Sequence, residues 1–227
     1  MIRPTLNVLY IDNHLIAVNK PAGLLTENVH TGGGSLLEET RQWIRKKHNK
    51  PGNIFLGLVH RLDRNVSGVV LFARTSKAAS RLSKQFREGL PKKIYRAILI
   101  GKPEEGRATL VHYLRKEKTL KATVFPRETN SAKRSELSYE VIHSLEKNSL
   151  VEVTLSTGRF HQIRAQMAFT GHPIMGDVKY GAPNTLMNQV IALYACKLVF
   201  NHPTSSKEIT LAVPEPEYWA NLRSEHL

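Results

Sequence analysis

The sequence has one cysteine, few aromatic residues (7%) and far fewer acidic than basic side chains. Cys196 alone cannot form an internal disulfide, which excludes the crosslinked scaffolds of small secreted proteins and favours a reducing compartment. No stretch approaches the roughly 20 apolar residues that cross a bilayer, and the first residues lack the apolar segment of a signal peptide. We therefore expect a soluble, cytoplasmic protein without a membrane partner, in which Cys196 is a small core residue.

The shortage of acids leaves 33 Lys+Arg against 19 Asp+Glu, a net charge of +14 at pH 7 over 227 residues. Such an excess points to a polyanion as partner, whether nucleic acid, an anionic membrane surface or an acidic protein. The positive charge is concentrated in three stretches, 41–50, 81–96 and 115–134. Any one of them could be an ordinary solvated face, but their regional grouping is typical of a binding surface.

The organisation of the chain indicates a mixed α and β protein. Neither an internal repeat nor a low-complexity linker divides it, so we predict one domain over 1–227. The patterns predict a hairpin over 6–19, a buried strand at 69–72 and a helix over 78–86 that ends at Gly89. The interval 101–136 is basic and poorly patterned, and we predict a long loop excursion there.

Metal and cofactor chemistry finds no support in the motifs. Ten histidines include no His-Glu-x-x-His, and no paired cysteines accompany them. A structural or capping role is expected for His60, His161 and His172. The glycine-rich segment 31–35 could cradle a phosphate, but it lacks the Gly-Lys-Ser/Thr of a P-loop. We therefore predict neither a metal nor a cofactor.

Two polar segments carry groups suited to catalysis. Asp63 lies between Arg61 and Arg64 directly before the predicted strand 69–72, and loops on such a rigid support often hold active sites. Nearby cations favour the ionised carboxylate, which can act as a nucleophile or a base. A structural ion pair is the alternative. The segment 156–164 gathers two arginines, a histidine and a glutamine near a helix start, an arrangement suited to an anion, either a backbone phosphate or a protein carboxylate.

Both segments belong to a set of four blocks, which are 16–24, 60–63 with 67–68, 93–97, and 157–164 followed by 171–174 and 176–177. These blocks, in this order, resemble the RluA family of RNA pseudouridine synthases, and the resemblance extends from about Leu6 to the C-terminal strands. Two positions depart from the family pattern. Val66 stands where threonine is usual, and Arg74 stands where lysine often ends the following strand. Neither departure removes a reacting group.

The resemblance implies an α+β pseudouridine synthase fold, with a mixed, largely antiparallel sheet, flanking helices and a central active-site cleft. It implies a stand-alone catalytic domain without the N-terminal S4 RNA-binding domain. The implied activity is that of an isomerase that converts uridines of structured ribosomal or transfer RNA to pseudouridine, with no cofactor and no metal. We expect a monomer whose partner is RNA. A catalytically inactive RNA-binding or chaperone protein on the same fold is the alternative.

The resemblance also assigns residues. Asp63 becomes the catalytic aspartate, Tyr95 the tyrosine that stacks on the target base, and Arg164 the arginine that pairs with the aspartate. Arg61 is expected to fill the gap that the flipped nucleotide leaves, and the 101–136 excursion is expected to contact RNA. Further substrate or RNA contacts are expected at His60, Lys93, Arg159, His161 and Gln162.

Overall fold

The computed structural model describes residues 6–28, 34–49, 52–144, 146–219 and 222, which form three α-helices and eleven strands. The chain groups into two compact units. Unit 1 comprises residues 1–91 and 197–213, and unit 2 comprises residues 92–196 and 214–227. The single domain over 1–227 stays a prediction. In the described part of the chain, no helix is both long and apolar enough to cross a bilayer.

Unit 1 is an antiparallel sheet with two helices. Its elements are β1 (Val8–Ile11), β2 (Leu15–Lys20), α1 (Leu36–Lys47), β3 (Gly57–Leu58), β4 (Ser67–Ala73), α2 (Ser76–Glu88), the second half of β10 (Leu193–Asn201), and β11 (Glu208–Ala212). β2 pairs with β1 and β4, β3 pairs with the end of β4, and β11 pairs with β10. Every residue of β4 is buried, as its continuous apolar run predicts.

Local sequence signals set the ends of these elements. The Asp12 carboxylate accepts the N–H groups of His14 and Leu15, each at 2.7 Å, and so closes the turn between β1 and β2. The Ser35 side chain caps α1 by accepting a first-turn amide, and Gly89 ends α2 in the left-handed conformation at φ 72°. The predicted hairpin and the predicted end of the second helix are confirmed.

Unit 2 contains an antiparallel sheet in the order β5–β9–β8–β6–β7 and one helix. These elements are β5 (Lys92–Ile100), β6 (Arg107–Lys116), β7 (Ala122–Phe125), β8 (Lys133–Ser144), β9 (Asn148–Leu155) and α3 (Gln162–Phe169). Helix α3 packs against β6 and β7. Val151, Val153 and Leu155 alternate along β9 and are buried, so the sheet has one face in the core.

The interval 101–136 differs from the predicted loop excursion. It contains β6, β7 and the beginning of β8, and its turns are short. Along β6 the residues alternate between exposed and half-buried, but the inward positions include Ala108 and His112 beside Leu110 and Leu114. Because two of these four inward side chains are small or polar, the period of two is weak in the sequence. The excursion is therefore an extension of the sheet.

The fold class agrees with the resemblance. Every strand ladder described within either unit is antiparallel, and an isolated parallel bridge joins Leu25 to Ser35. With its three α-helices, the protein is α+β, with a mixed and mostly antiparallel arrangement of strands. Cys196 is buried, as expected of a small core residue.

Candidate active site

Asp63 lies in unit 1 on the loop between β3 and β4 and is half-buried. The buried hydroxyl of Thr26 holds both backbone groups of the preceding residue: it donates to the Leu62 carbonyl at 2.9 Å and accepts the Leu62 N–H at 3.2 Å. On the other side, the Val66 N–H bonds to the Asp63 carbonyl at 3.2 Å. The backbone is therefore fixed before and after Asp63, as a catalytic side chain requires.

Lys20, the last residue of β2, is fully buried and tied to the same loop. Its Nζ donates to three carbonyls, those of Pro21 (3.0 Å), Leu24 (2.7 Å) and Arg64 (3.1 Å). Burial lowers the pKa of Lys20 to about 7, and the negative charge of Asp63 opposes this shift. Lys20 has no predicted role beyond its place in the 16–24 block, because lysine is rarely fully buried.

The two residues that precede Leu62 have different environments. His60 accepts the Leu71 N–H at Nε2 (3.0 Å), and its ring stacks on Phe86 with 4.8 Å between centroids. These contacts fit the structural role expected for His60, and a contact with RNA stays a prediction. Arg61 is exposed, as a side chain that enters RNA needs to be.

Tyr95 lies in unit 2 on β5, opposite Val153 of β9, and is half-buried. Lys93 precedes it by two residues, so both side chains leave the same face of the strand. Two residues of a strand span about 7 Å. β5 thus presents an aromatic ring and an ammonium group side by side.

Gln162 begins α3, and its side-chain amide holds the preceding turn together. Its Oε1 accepts the Thr157 hydroxyl at 2.8 Å and the Arg159 N–H at 2.9 Å, while its Nε2 donates to the Glu136 carbonyl at 3.0 Å. The residue is only 3% exposed. Gln162 therefore has a structural role, and a contact with RNA stays a prediction. Arg159, which it positions, is exposed.

Arg164, on the first turn of α3, forms a buried bidentate ion pair. Its Nε and Nη2 donate to the two carboxylate oxygens of Asp177 at 2.7 and 2.8 Å. The two residues are 5% and 1% exposed. Two parallel bonds fix the plane of the guanidinium. The pairing of Arg164 with Asp63 stays a prediction, as does the convergence of both with Tyr95.

A hydrogen-bonded chain extends from this ion pair to β7. The Arg164 guanidinium, which can only donate, lies 3.0 Å from His161 Nε2. The ring proton of His161 is therefore on Nδ1, which donates to the Tyr180 hydroxyl oxygen at 2.9 Å. That oxygen also accepts the N–H of Ala122 at 2.7 Å. The chain Asp177, Arg164, His161, Tyr180 and Ala122 links the start of α3 to the sheet extension.

Cations from the basic 115–134 run lie over aromatic rings beside this chain. Lys116 Nζ is 4.7 Å from the centroid of the Phe160 ring, and Lys121 Nζ is 5.3 Å from that of Tyr180. The Phe160 ring in turn stacks on His161, with 3.8 Å between centroids. The basic end of the sheet extension is thus packed against the start of α3.

Other predicted features concern metals and phosphates. Among the residues that the structure describes, no three His, Cys, Asp or Glu side chains form a cluster that could hold a metal ion. Residues 31–33 of the glycine-rich segment lie outside the described residues, as does residue 50 of the first basic stretch.

The comparison with protein families identifies the class. A family model described as RNA pseudouridylate synthase matches residues 14–169, more than half of the chain and including Asp63, Tyr95 and Arg164. The chain therefore belongs to the RNA pseudouridylate synthase family. It is an isomerase that converts uridine in RNA to pseudouridine.

Individual relatives narrow the resemblance to the RluA group. The dual-specificity RNA pseudouridine synthase RluA of Haemophilus influenzae is 35% identical over 92% of this chain and 93% of its own. The ribosomal large subunit pseudouridine synthase C of Rickettsia bellii is 33% identical over 93% of this chain and 69% of its own. The solved structure of human RNA pseudouridylate synthase domain containing 4 is 23% identical with a TM-score of 0.79, covering 94% and 90% of the two chains. The predicted fold is thus confirmed.

Proposed function

We propose that this protein isomerises specific uridines of structured ribosomal RNA, transfer RNA or both, and that the reaction depends on Asp63. The observation that carries the proposal is the loop around Asp63, whose backbone is held by Thr26 on one side and by the Val66 amide on the other. Lys20 ties the same loop to β2. Such a loop presents one carboxylate at a defined position, which is what the reaction needs.

The chemistry requires no oxidant and no second substrate. The bond between N1 of the uracil and C1′ of the ribose breaks, the base turns, and C5 bonds to C1′. The proton on C5 leaves, and N1 gains one, so the atoms balance. Asp63 acts either as the nucleophile that attacks the nucleoside or as the base that removes a ribose proton to give a glycal. In both routes the carboxylate has to be ionised when the base is bound.

Tyr95 and Arg164 support this chemistry in the proposal. The Tyr95 ring offers a flat face on which the uracil stacks, and its hydroxyl is a candidate for removing the C5 proton. Arg164 pairs with Asp63 and aligns its carboxylate. Asp177 and His161 hold the guanidinium in the fixed plane that such a pair requires. These two residues therefore position Arg164, and a contact between His161 and RNA stays a prediction.

RNA binding is assigned to the basic surfaces. A uridine in folded RNA has to leave its stack before the enzyme can reach it, at a cost of a few kcal/mol. The exposed Arg61 takes the vacated place, and the stretches 41–50, 81–96 and 115–134 hold phosphates. The sheet extension formed by β6 and β7 contributes to this surface. Because each phosphate contact releases counterions, affinity falls steeply as salt rises.

The proposed substrates follow from the relatives. One relative is named for dual specificity and the other for the large ribosomal subunit. We propose that this chain acts on ribosomal RNA, transfer RNA or both, as a cytoplasmic monomer without a resident metal. An inactive RNA-binding protein on the same fold is the competing function, and the Asp63 variant separates the two.

The test compares Asp63→Asn with Glu208→Gln, which removes an exposed carboxylate on β11 of the same unit. Ribosomal and transfer RNA labelled with tritium at C5 of uridine report turnover, because the tritium is released when C5 bonds to the ribose. Carbodiimide labelling with primer extension then maps the product. We expect Asp63→Asn to abolish product while RNA affinity stays within a fewfold, and Glu208→Gln to be fully active.

Two results would contradict the proposal. Turnover retained by Asp63→Asn would refute the role of that carboxylate. The second result combines two measurements. If the wild-type protein binds these RNAs without releasing tritium, and if deletion of its gene removes no pseudouridine from the RNA of the cell, the protein is an inactive RNA-binding protein.

A further inference from the structure

Two cations of unit 2, Lys93 and Arg159, lie close enough for their charges to interact. Lys93 is the second residue of β5 and is half-buried, and Arg159 is exposed on the turn before α3. Among the described residues, no Asp or Glu forms an ion pair with either of them. Glu136 of β8, whose carbonyl accepts amides of the chain before this turn, is paired with Arg134 instead. The acidic residues that the structure describes therefore leave this pair of positive charges uncompensated.

The turn before α3 passes close to the Lys93 ammonium. Lys93 is in register with Leu155, the last residue of β9, and the chain then turns through Gly158. A Cβ at Gly158 would lie 3.4 Å from Lys93 Nζ, so the backbone of this turn runs directly beside the ammonium. Arg159 is the next residue, and its Nε donates to the Arg134 carbonyl at 3.0 Å. One anion bound at this turn can therefore contact both cations.

Keeping Lys93 charged in this position costs free energy. Burial lowers the pKa of the Lys93 ammonium below its ordinary value, and the charge of Arg159 lowers it further. A site that holds two like charges, one of them partly out of water, is suited to an anion that compensates both. A phosphate of the RNA backbone is the anion that the family's substrate supplies.

We propose that Lys93 and Arg159 bind one phosphodiester of the RNA, the one belonging to the nucleotide whose base lies on Tyr95. Lys93 and Tyr95 leave the same face of β5 about 7 Å apart, so one ribose lies between the ring and the phosphate. This inference rests on the proposed function, since it takes Tyr95 as the site of the base. It assigns Lys93 and Arg159 to positioning the flipped nucleotide, a narrower role than general attraction of RNA.

The chain offers a matched control for Lys93. Lys147 is exposed directly before β9 in the same unit and lies outside the three basic stretches. A single-stranded oligouridylate with a fluorescent label is titrated with wild type, Lys93→Met, Lys147→Met and Lys93→Arg over a range of salt concentrations. We expect Lys93→Met to reduce the slope of log affinity against log salt by about 0.7, the value of one phosphate contact on a single strand. Lys147→Met and Lys93→Arg should keep the wild-type slope, and equal slopes for the two methionine variants would overturn the site.

A second readout uses the wild-type protein alone. NMR of the lysine ε-carbons follows the titration of Lys93 with and without the oligouridylate. A bound phosphate favours the ammonium, so we expect the pKa of Lys93 to rise on binding. An unchanged Lys93 pKa in the complex refutes the site, and this result does not depend on whether any variant folds.

Stability distinguishes a ligand-binding lysine from a structural one. Because Lys93 is partly buried beside a like charge, Lys93→Met should raise the midpoint of thermal unfolding, and a marked decrease would refute the proposal. Pseudouridine formation is measured separately. A protein that binds oligouridylate through Lys93 but forms no pseudouridine would refute the proposed function and leave the phosphate site standing.

Discussion

Replacing Lys20 with methionine should change how the stability of unit 1 depends on pH. In the folded protein burial brings the pKa of Lys20 to about 7, whereas the ordinary value, which applies to the unfolded chain, is 10.5. Between these two values the unfolded chain binds a proton that the folded chain does not. The free energy of unfolding therefore rises with pH in this window and is independent of Lys20 below it.

The magnitude follows from the separation of the two values. One proton changes the free energy of unfolding by about 1.4 kcal/mol per pH unit. Between the folded and unfolded pKa values of Lys20, the free energy of unfolding therefore rises by ~5 kcal/mol. Lys20→Met removes this slope entirely. It also leaves three carbonyls without the ammonium donor, at a cost of about 1 to 3 kcal/mol for each one that finds no other partner. That cost does not depend on pH, so it lowers the free energy of unfolding by the same amount at every pH and leaves its slope against pH unchanged.

The assay is urea unfolding of wild type, Lys20→Met and Lys77→Met at several pH values from about 6 to about 9, a range that enters the titration window of Lys20. Lys77 is the matched control because it is exposed on α2 of the same unit. Wild type and Lys77→Met should give parallel curves, and both should rise relative to Lys20→Met above neutral pH. A constant difference between wild type and Lys20→Met at all pH values would refute the assignment of a lowered pKa to Lys20.

Three further substitutions test the packing around the proposed site. Tyr180→Phe removes the oxygen that accepts the Ala122 N–H and should cost about 1 to 3 kcal/mol in urea unfolding, with turnover falling more than RNA affinity; unchanged stability and turnover would contradict the hydrogen-bonded chain. Asp177→Asn removes the charge that Arg164 pairs with and should cost about 3 to 5 kcal/mol, which chemical denaturation measures against wild type. Gly89→Ala places a Cβ on a residue with φ 72° and should lower stability by about 1 kcal/mol in thermal unfolding. An unchanged unfolding midpoint would argue against a left-handed backbone conformation at residue 89.

The sequence allowed prediction wherever the signal was local. Asp12 closes the turn of the predicted hairpin through its own neighbours, and Gly89 ends the predicted helix from within one turn. In each case the sequence separation is no more than a few residues, so the pattern contains the whole interaction. Asp63 and Tyr95 were assigned through blocks shared with a family, and the structure adds the contacts that support their loop and strand.

Other features depend on contacts between distant segments. Lys20 is buried only because the Leu24 and Arg64 carbonyls converge on its ammonium, and no periodicity in the sequence shows this. Tyr180 meets Ala122 across 58 residues, and neither residue type alone indicates such a bond. The resemblance assigned Gln162 a contact with substrate or RNA, and the structure adds the three neighbouring polar groups that engage its amide. Burial and partner are tertiary properties, and they decided the role in each case.

Unit 1 is built from two separate segments of the chain, and this has a consequence for synthesis of the protein on the ribosome. β11 and the second half of β10 complete this unit, and His202 from the same segment contacts Asp12 at 2.8 Å. Its first 91 residues therefore emerge long before residue 213, which ends the segment that completes the unit. At typical elongation rates the interval is on the order of ten seconds. Throughout that time the sheet of unit 1 lacks β11 and the second half of β10. We expect the nascent chain to need chaperones most at this stage.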